Sequence, residues 1–319
     1  MGRYVVTGGA GFIGGRIAER LVARGDEVVV LDDLSTSSER TAPEGATLVV
    51  ADLSDERTYA EGLKGAFDAV LHLGAQSSGE ISHLNPARDF DVNARGTLLL
   101  LRWAEASGVS RFLHASSMAV YGSVEGPVLE TAPTKPGSYY GVSKVAGEAA
   151  VRFFAGRGLQ TTTFRMFNVY GPGQNLANLR QGMVSIYLAY LLRGEPVVVK
   201  GALDRYRDFV HVDDVATAWL AALDAKGAAD RLYNLGTGRK TTVAELLDQL
   251  GQAFGYPAAA CPMTAADGTP GDMHGSVADI TRIRTQLGWR PEVTLERGIP
   301  EMVDWARSVA DATGRERKV

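Results

Sequence analysis

The sequence predicts an α/β protein built on a Rossmann-type, doubly wound parallel sheet, with a smaller C-terminal α/β lobe. Three observations indicate this fold. Short apolar runs alternate with segments of helical periodicity through the first half of the chain. The apolar runs are nearly continuous, as in a parallel sheet that is covered on both faces. A glycine-rich turn, "TGGAGFIGG", joins the first strand to the first helix.

Each element is predicted from its own stretch of sequence. The first strand is expected at residues 3–8, and the helix that follows it at 12–25, with Gly25 as its C-cap. The other strands of the sheet are expected at 26–33, 46–52, 68–75, 111–117 and 159–168. Beyond the sheet, the expected elements are a short strand in "PVVVK" and helices at about 181–193, 213–224, 242–254 and 295–312.

A change of composition divides these elements into two predicted domains. After about residue 170 the chain becomes rich in Gly, Asn and Pro, as in "YGPGQNLANLRQG". We therefore predict a Rossmann domain over residues 1–170, to which part of 208–238 returns. Residues 171–319 mainly form the second lobe, which is expected to bind the substrate.

The composition narrows the class of protein. The 319 residues carry a formal net charge of −4 with both signs interspersed, so binding to nucleic acid or to an anionic membrane is not expected. We find no signal-peptide pattern and no apolar run long enough to cross a bilayer. The single cysteine, Cys261, allows neither an internal disulfide nor a cysteine-based metal site. We therefore expect a soluble cytoplasmic protein without a bound metal.

Three glycines, Gly8, Gly11 and Gly14, stand between the first strand and the first helix. Glycine there permits a tight turn and close approach of the backbone to a pyrophosphate. The free N–H groups at the start of the helix also favour phosphate. Asp32 ends the second strand, where a carboxylate binds a ribose diol and repels a 2′-phosphate. The sequence therefore predicts a dinucleotide site that prefers NAD.

Further acidic positions near this site have competing interpretations. Asp33 is a candidate for cofactor binding, with a solvated strand end as the alternative. Asp52 and Leu53 follow the third strand, where the edge of an adenine is expected, and a helix cap at Asp52 is the alternative.

The segment "GSYYGVSK" places two adjacent tyrosines before a lysine. On a helix, Tyr140 and Lys144 share a face because residues four apart are neighbours, whereas Tyr139 lies to the side. A free tyrosine has a pKa of about 10 and is a poor base at neutral pH. A nearby ammonium lowers the pKa of a phenol, so the pair predicts a general base for a hydroxyl proton. A packed tyrosine is the usual interpretation of such a pair, but here a strand ending in Ser116 and Ser117 precedes it.

Several motifs occur in a fixed order along nearly the whole chain: "TGGAGFIG", "DVNARGT", "SSMAVYG", "YYGVSK", "FRMFNVYGPGQ", "RDFVHVDDVA" and "YNLGTG". With this ordered set the sequence resembles the NAD-dependent nucleotide-sugar epimerase/dehydratase family of extended short-chain dehydrogenases/reductases. The resemblance implies Tyr140 as the base and Lys144 as the partner that lowers its pKa and binds the ribose. It also implies Ser117 as the hydroxyl that binds the reacting oxygen.

The resemblance implies NAD as the cofactor and Asn93 as a support for the helix beside the active site. The residues expected at the cofactor are Gly8, Gly11, Phe12, Ile13, Gly14, Asp32, Asp33, Asp52, Leu53, Leu73, Ala75, Asn93, Ser116, Tyr140 and Lys144.

The residues after Ser117 bear on the reaction. Relatives that dehydrate or decarboxylate a 4-keto sugar usually carry acidic residues at the two following places, which are Met118 and Ala119 here. The resemblance therefore implies epimerisation at C4 of a nucleotide-diphosphate sugar, with a UDP-hexose or a UDP-hexuronate favoured. A dehydratase, a decarboxylase, a C4 oxidoreductase and a catalytically idle NAD-binding protein remain alternatives.

The resemblance also implies a clamp for the substrate pyrophosphate. Arg207 matches one arginine of the clamp, but Thr269 stands where the second is usual. Arg205 could replace it or could be a surface residue. Arg180 could meet a sugar carboxylate, with a solvated arginine as the alternative. The residues expected at the substrate are Ser78, Ser117, Met118, Tyr140, Asn168, Arg180, Val199, Arg205, Arg207 and Asp272.

The remaining candidates are interpreted structurally. His72 and His114 lie on apolar strands and are expected to be hydrogen-bonded core residues, while His211 is expected to pack or to cap a helix. Helices predicted within 85–107 and 139–156 could form a four-helix interface of a homodimer, as the resemblance implies.

Overall fold

The structure is a computed structural model that describes residues 1–36, 42–225, 231–268 and 273–312. Strands in these ranges are β1 (Arg3–Thr7), β2 (Glu27–Asp32), β3 (Thr47–Val50), β4 (Ala69–His72), β5 (Arg111–Ser117), β6 (Pro127–Val128), β7 (Gln160–Met166), β8 (Asn168–Tyr170), β9 (Val197–Lys200), β10 (Tyr206–Arg207), β11 (Phe209–His211), β12 (Arg231–Leu235), β13 (Thr241–Thr242), β14 (Met263–Ala266) and β15 (Val277–Ala278).

The helices of the described residues pack on the strands and on one another. They are α1 (Phe12–Ala23), α2 (Gly79–Leu84), α3 (Pro86–Phe90), α4 (Gly96–Ala106), α5 (Tyr139–Ala155), α6 (Met183–Leu192), α7 (Val212–Asp224), α8 (Val243–Ala253), α9 (Thr281–Leu287) and α10 (Leu295–Ala312). Shorter turns of π- or 3₁₀-helix occur at Thr58–Gly62, Asp91–Arg95 and Met118–Val120. None of the described helices is long and apolar enough to span a lipid bilayer.

Seven parallel strands form the main sheet, in the order β12-β7-β5-β4-β1-β2-β3. The chain runs outward from β1 in one direction through β2 and β3, and in the other through β4, β5, β7 and β12. The order reverses between β1 and β4, and ligands of such sheets bind outside the carboxyl ends of the strands at this switch point. This topology confirms the predicted Rossmann-type fold.

Three clusters of apolar side chains form most of the core. One joins α1 and α7 to the sheet and includes Leu21, Trp219 and Phe164. A second, with Leu100 and Phe112, lies beneath α4 and α5. The third lies in the C-terminal lobe between α6, α8 and α10. Strand β12 belongs to the main sheet and α7 packs against α1, so part of 208–238 lies with the sheet. The domain boundary at residue 170 remains a prediction.

Most predicted elements are confirmed, with differences at their ends. Helix α1 has Arg24 as its C-cap, and Gly25 follows it with φ +88°. The strand expected at 159–168 divides into β7 and β8, and β8 pairs with β11 in a separate two-stranded sheet. The expected helix within 85–107 contains a π-helical turn at Asp91–Arg95. Helices α2 and α9 are short, and the sequence pattern does not predict them.

Candidate active site

A large cavity of about 1920 Å³ lies at the carboxyl ends of the central strands and extends into the C-terminal lobe. Side chains from both parts of the chain line it, among them Asp32 and Tyr140 on the side of the main sheet and Lys200 and Arg207 on the other. The cavity therefore lies where the sheet topology places a ligand.

The glycine turn forms one end of this cavity and leaves no room for side chains. Gly8 has φ +68°, and a Cβ added to it would lie 2.7 Å from the backbone nitrogen of Gly74. A Cβ on Gly14 would lie 2.2 Å from the carbonyl oxygen of Gly8. Helix α1 begins after Gly11 without a side-chain cap and without an acidic residue in its first turn. Its N-terminal N–H groups are thus suited to an anionic pyrophosphate.

Asp32 lies beside this turn with its carboxylate fixed by backbone. It accepts hydrogen bonds from the N–H groups of Ala10 (3.1 Å) and Leu34 (2.9 Å). Burial raises the pKa of Asp32, and the two backbone hydrogen bonds oppose that change. The side chain lines the cavity, so a diol could approach it there. The donor set of the turn and this carboxylate fit NAD.

An arginine that the sequence analysis missed joins the two other acidic candidates. The guanidinium of Arg88 lies 2.8 Å from Asp52 Oδ2 and 3.4 Å from Asp33 Oδ2. Asp52 also accepts from the backbone N–H of Ser54 (2.8 Å), which closes a turn rather than an α-helix. Asp33 is thus part of an ion pair, and the residue is also exposed just after β2, as its interpretation as a solvated strand end requires. Arg88, Asp33, Asp52 and Leu53 all line the cavity.

The catalytic candidates converge at the centre of the cavity. Ser138 caps α5 by accepting a hydrogen bond from Gly141 N, so Tyr140 and Lys144 fall one turn apart. The Lys144 ammonium lies 5.8 Å from the centroid of the Tyr140 ring. Ser117, at the end of β5, lies beside Tyr140 and also lines the cavity. Tyr139 is 46% exposed and does not line the cavity, so the choice of Tyr140 agrees with the geometry.

The electrostatics of the pair differ from the sequence expectation. Burial raises the pKa of Tyr140 to about 12, while the hydrogen bond with Ser117 opposes the rise. Burial lowers the pKa of Lys144 to about 8, and the charges of Asp89 and Glu148 oppose the fall. The expected lowering of the Tyr140 pKa is therefore not found, because burial of the phenol raises this pKa. The Lys144 ammonium donates its hydrogen bond to the carbonyl of Ala115 (3.0 Å).

One predicted cofactor residue lies behind the cavity wall. Asn93 is 1% exposed and does not line the cavity. Its side chain accepts from Gln76 N (2.9 Å) and donates to Asp89 Oδ2 (3.2 Å) and Ser143 Oγ (3.1 Å). Asn93 therefore supports the segments around the site, as expected, but direct contact with a cofactor is not supported. The predicted residues Phe12, Ile13, Leu73, Ala75 and Ser116 line the cavity.

At the substrate end, one predicted residue faces the wrong way. Val199 is fully buried in the core of the C-terminal lobe, whereas Val198 and Lys200 line the cavity. Successive side chains of a strand point to opposite faces, so β9 cannot present both Val198 and Val199 to the same ligand. Asp272 and Thr269 lie outside the described residues. The other predicted substrate residues line the cavity: Ser78, Ser117, Met118, Tyr140, Asn168, Arg180, Arg205 and Arg207.

Two arginines lie in one wall of the cavity. Arg205 is 8% exposed and Arg207 is 4% exposed, and both line the cavity. They are two residues apart along an extended segment, so their side chains leave the backbone on the same side. Arg207 donates to the carbonyls of Tyr206 (2.8 Å) and His274 (3.3 Å). The interpretation of Arg205 as a surface residue is therefore wrong.

Arg180 is exposed to a much greater extent and lies near an acidic residue that the sequence analysis missed. Its Nε is 3.7 Å from Glu80 Oε1, and the ammonium of Lys200 is 3.2 Å from Glu80 Oε2. The Arg180 backbone carbonyl accepts from Ser78 Oγ (2.9 Å). Glu80 thus joins α2 of the main domain to two cations of the second lobe.

The family model described as the NAD dependent epimerase/dehydratase family matches residues 4–236. The chain belongs to this family. Its membership confirms the resemblance noted in the sequence, and the family's dependence on NAD confirms the predicted cofactor.

Individual relatives cover nearly the whole chain. A UDP-glucose 4-epimerase of Mycolicibacterium smegmatis is 36% identical over 324 residues, which are 96% of this chain and 99% of that protein. The crystal structure of a Thermotoga maritima UDP-glucose 4-epimerase with UDP-glucose has a TM-score of 0.90 at 34% identity, covering 96% of this chain and 99% of that one. A dTDP-glucose 4,6-dehydratase of Streptomyces niveus is 30% identical over 96% of this chain and 93% of its own length. Members of the family thus differ in reaction and in nucleotide.

The histidines have structural surroundings. His72 is hydrogen-bonded to Thr7 (2.8 Å) and Thr97 (2.9 Å), and His211 Nδ1 accepts from the N–H of Asp213 (3.3 Å) at the start of α7, as expected. His114 is buried, but neither of its ring nitrogens has a partner among the described residues, so the expectation of a hydrogen-bonded core residue is wrong there. Burial lowers the pKa of His114 far enough to keep the ring neutral.

Proposed function

We propose that the protein is an NAD-dependent 4-epimerase of a nucleotide-diphosphate sugar. The observation that carries the proposal is the cluster of Ser117, Tyr140 and Lys144 in a cavity where the next two residues, Met118 and Ala119, cannot exchange protons. Dehydration or decarboxylation of a 4-keto sugar needs a further acid or base near the sugar. Oxidation and reduction at C4 need only the three residues and the cofactor.

The residues divide the proton chemistry between them. Tyr140 is placed to take the proton of the C4 hydroxyl, and Ser117 is placed to bind the same oxygen. Since burial raises the pKa of Tyr140 to about 12, the phenol needs positive charge nearby to act as a base at neutral pH. NAD, when bound, takes up and returns the hydride of C4, and its nicotinamide ring adds positive charge to that of Lys144.

The nucleotide end of the cavity would hold the substrate during the reaction. Arg205 and Arg207 are positioned to bind the two phosphates, since guanidinium groups pair well with phosphate oxygens. With the nucleotide anchored, the 4-keto sugar can turn about its pyrophosphate linkage and present the other face of C4. Tyr140 then returns the proton to the sugar oxygen.

A UDP-hexose fits the charges of the site better than a UDP-hexuronate. Glu80 lies against both Arg180 and Lys200, so these cations already have an anionic neighbour. A sugar carboxylate would have to compete with Glu80 and would be repelled by it. Relatives named for UDP-glucose support uridine as the base of the nucleotide.

A panel of nucleotide sugars tests the proposal. Purified protein is incubated with UDP- and dTDP-hexoses and with UDP-hexuronates, and the C4 epimers are separated and quantified. We expect interconversion of a C4 pair without net NADH and without loss of water or CO₂. Accumulation of NADH would favour the oxidoreductase alternative, and loss of water or CO₂ a dehydratase or decarboxylase. NAD binding without conversion of any sugar would favour a binding protein.

We also propose that the protein is a homodimer that pairs the helices around α4 and α5. Large apolar side chains are exposed there: Phe90 (39%), Leu98 (42%), Val142 (41%) and Phe153 (63%). Val142 and Phe153 are eleven residues apart, about three turns of helix, so they lie on one face. Light scattering of the wild type and of Phe153→Glu tests this. We expect the wild type to be a dimer and Phe153→Glu to dimerise more weakly. A monomeric wild type would contradict the proposed dimer.

A further inference from the structure

Two buried charges of opposite sign lie near the N-terminal turns of α5. The carboxylate of Asp89 is in a fully buried side chain, and the side chain of Lys144 is 4% exposed. Among the described residues, neither group is within ion-pair distance of an opposite charge. Burying a charge without a direct counter-ion is costly, so the arrangement calls for an explanation.

Neutral donors fix the position of Asp89. Its Oδ2 accepts from Gln76 Nε2 (2.8 Å) and Asn93 Nδ2 (3.2 Å), and its Oδ1 accepts from Ser143 Oγ (2.5 Å). The Ser143 hydroxyl is also 3.0 Å from the carbonyl oxygen of Tyr140. Asp89 is therefore joined through one residue to the helical turn that carries both catalytic candidates. The donors are neutral, so none of them compensates a negative charge on Asp89. Burial raises the pKa of Asp89, and these hydrogen bonds and the charge of Lys144 oppose the rise.

Of the two carboxylates whose charge favours protonated Lys144, Asp89 has the larger effect and Glu148 the smaller. Glu148 follows Lys144 by one turn, but Arg165 binds it with two hydrogen bonds of 2.8 and 2.7 Å, and so compensates its charge. His72 and His114, below Lys144 on β4 and β5, are buried, and burial lowers the pKa of His72 to about 3. The neutral phenol of Tyr140 adds no charge. Among these described groups, Asp89 is therefore the carboxylate that no cation binds directly.

We propose that Asp89 is a positioning residue whose buried charge keeps Lys144 protonated and whose bond to Ser143 holds the Tyr140–Lys144 turn. Without a negative charge nearby, a buried ammonium loses its proton readily, because burial disfavours the charged form. The positive ring of bound NAD would disfavour the ammonium further. The proposal rests on the proposed function only in taking Tyr140 and Lys144 as the catalytic pair.

The test is the charge of Lys144 in Asp89→Asn, measured directly. In protein labelled with ¹⁵N-lysine, the side-chain resonance of Lys144 is identified by its loss in Lys144→Arg and then followed against pH. We expect the pKa of Lys144 to fall by about one unit in Asp89→Asn, which is about a tenfold change in the protonation equilibrium. Asp91→Asn, an exposed carboxylate two residues further on, is the matched control and should leave it unchanged.

A second readout separates the electrostatic role from a structural one. The alkaline limb of the pH–rate profile should move to lower pH in Asp89→Asn by the same amount as the Lys144 resonance, and Asp91→Asn should not move it. A folded Asp89→Asn protein with an unchanged Lys144 pKa would overturn the proposal, since loss of a purely structural contact predicts that result.

A measurement on the wild type covers the case in which Asp89→Asn does not fold. With ¹³C-labelled aspartate, the Asp89 carboxyl must be ionised over the pH range in which Lys144 is charged. A protonated Asp89 at neutral pH would overturn the proposal. Neither NMR titration needs a sugar substrate, so these results stand even if the epimerase activity is not found.

Discussion

The cofactor wall of the cavity, around Gly8, Gly14 and Asp32, depends on close approach of the backbone. The substrate wall, around Glu80 and Arg205, consists of side chains from separate segments. At the cofactor wall, Gly8 and Gly14 pack with no room for a Cβ, and Asp32 is held by backbone N–H groups. At the substrate wall, Glu80 and Arg205 come from α2 and from the segment before β10. Changes at the first wall should therefore weaken NAD binding, and changes at the second should alter selectivity for the sugar.

The largest effect is expected where the two walls meet, at Tyr140. Replacing Tyr140 by Phe removes the proton acceptor but keeps the ring. Turnover should fall by about 10³-fold, which is within the usual range for general base catalysis. NAD binding should be retained. The measurement is epimer formation together with NAD content. Tyr139→Phe is the matched control, because Tyr139 is exposed and outside the cavity, and it should keep full activity. Activity of Tyr140→Phe near that of the wild type would exclude Tyr140 as the base.

The next largest effect tests the backbone character of the cofactor wall. In Gly14→Ala the new Cβ would lie 2.2 Å from the Gly8 carbonyl oxygen, so the turn must shift. We expect NAD affinity to fall by at least about tenfold and the free energy of unfolding to fall by about 1–3 kcal/mol, as for an overpacked core. Isothermal titration and thermal unfolding measure the two effects.

Gly15→Ala is the control for that comparison. The nearest atom to a Cβ at Gly15 is the Gly9 carbonyl oxygen at 3.4 Å, so the methyl group fits. Alanine is also the better helix former, by about 0.5–1 kcal/mol. The variant should bind NAD normally and unfold at the same or a higher temperature. Equal losses in the two variants would mean that the wall does not depend on close approach at Gly14.

The same difference explains which parts of the site the sequence could predict. The glycine turn and the Tyr140–Lys144 pair follow from local rules, since strand–turn–helix geometry and four-residue spacing are set within a short segment. Arg88 and Glu80 were missed because their partners are distant in sequence and meet only in the folded chain. Features set within one short segment were therefore predicted, whereas contacts between distant segments, such as those of Arg88 with Asp52 and of Glu80 with Lys200, were not.

Two predictions differ from the structure because the local sequence does not determine the property that was predicted. "VVVK" has three identical side chains in a row, so the sequence cannot tell which of Val198 and Val199 faces the cavity. The expected net lowering of the Tyr140 pKa is not found, because burial, which no local pattern reveals, raises that pKa. Burial of single groups depends on the whole fold.

The smallest effect is expected at the substrate wall, from Glu80→Gln. The change removes the anion beside Arg180 and Lys200 but keeps the size of the side chain. The ratio of kcat/KM for a UDP-hexuronate to that for the UDP-hexose should then rise by about fivefold. This factor corresponds to about 1 kcal/mol, the upper value for a partly exposed ion pair. Glu61→Gln is the control, because Glu61 is exposed and does not line the cavity, and it should leave the ratio unchanged. An unchanged ratio in Glu80→Gln would show that the charge of Glu80 does not select the sugar, and the cause of any preference would then lie elsewhere in the substrate wall.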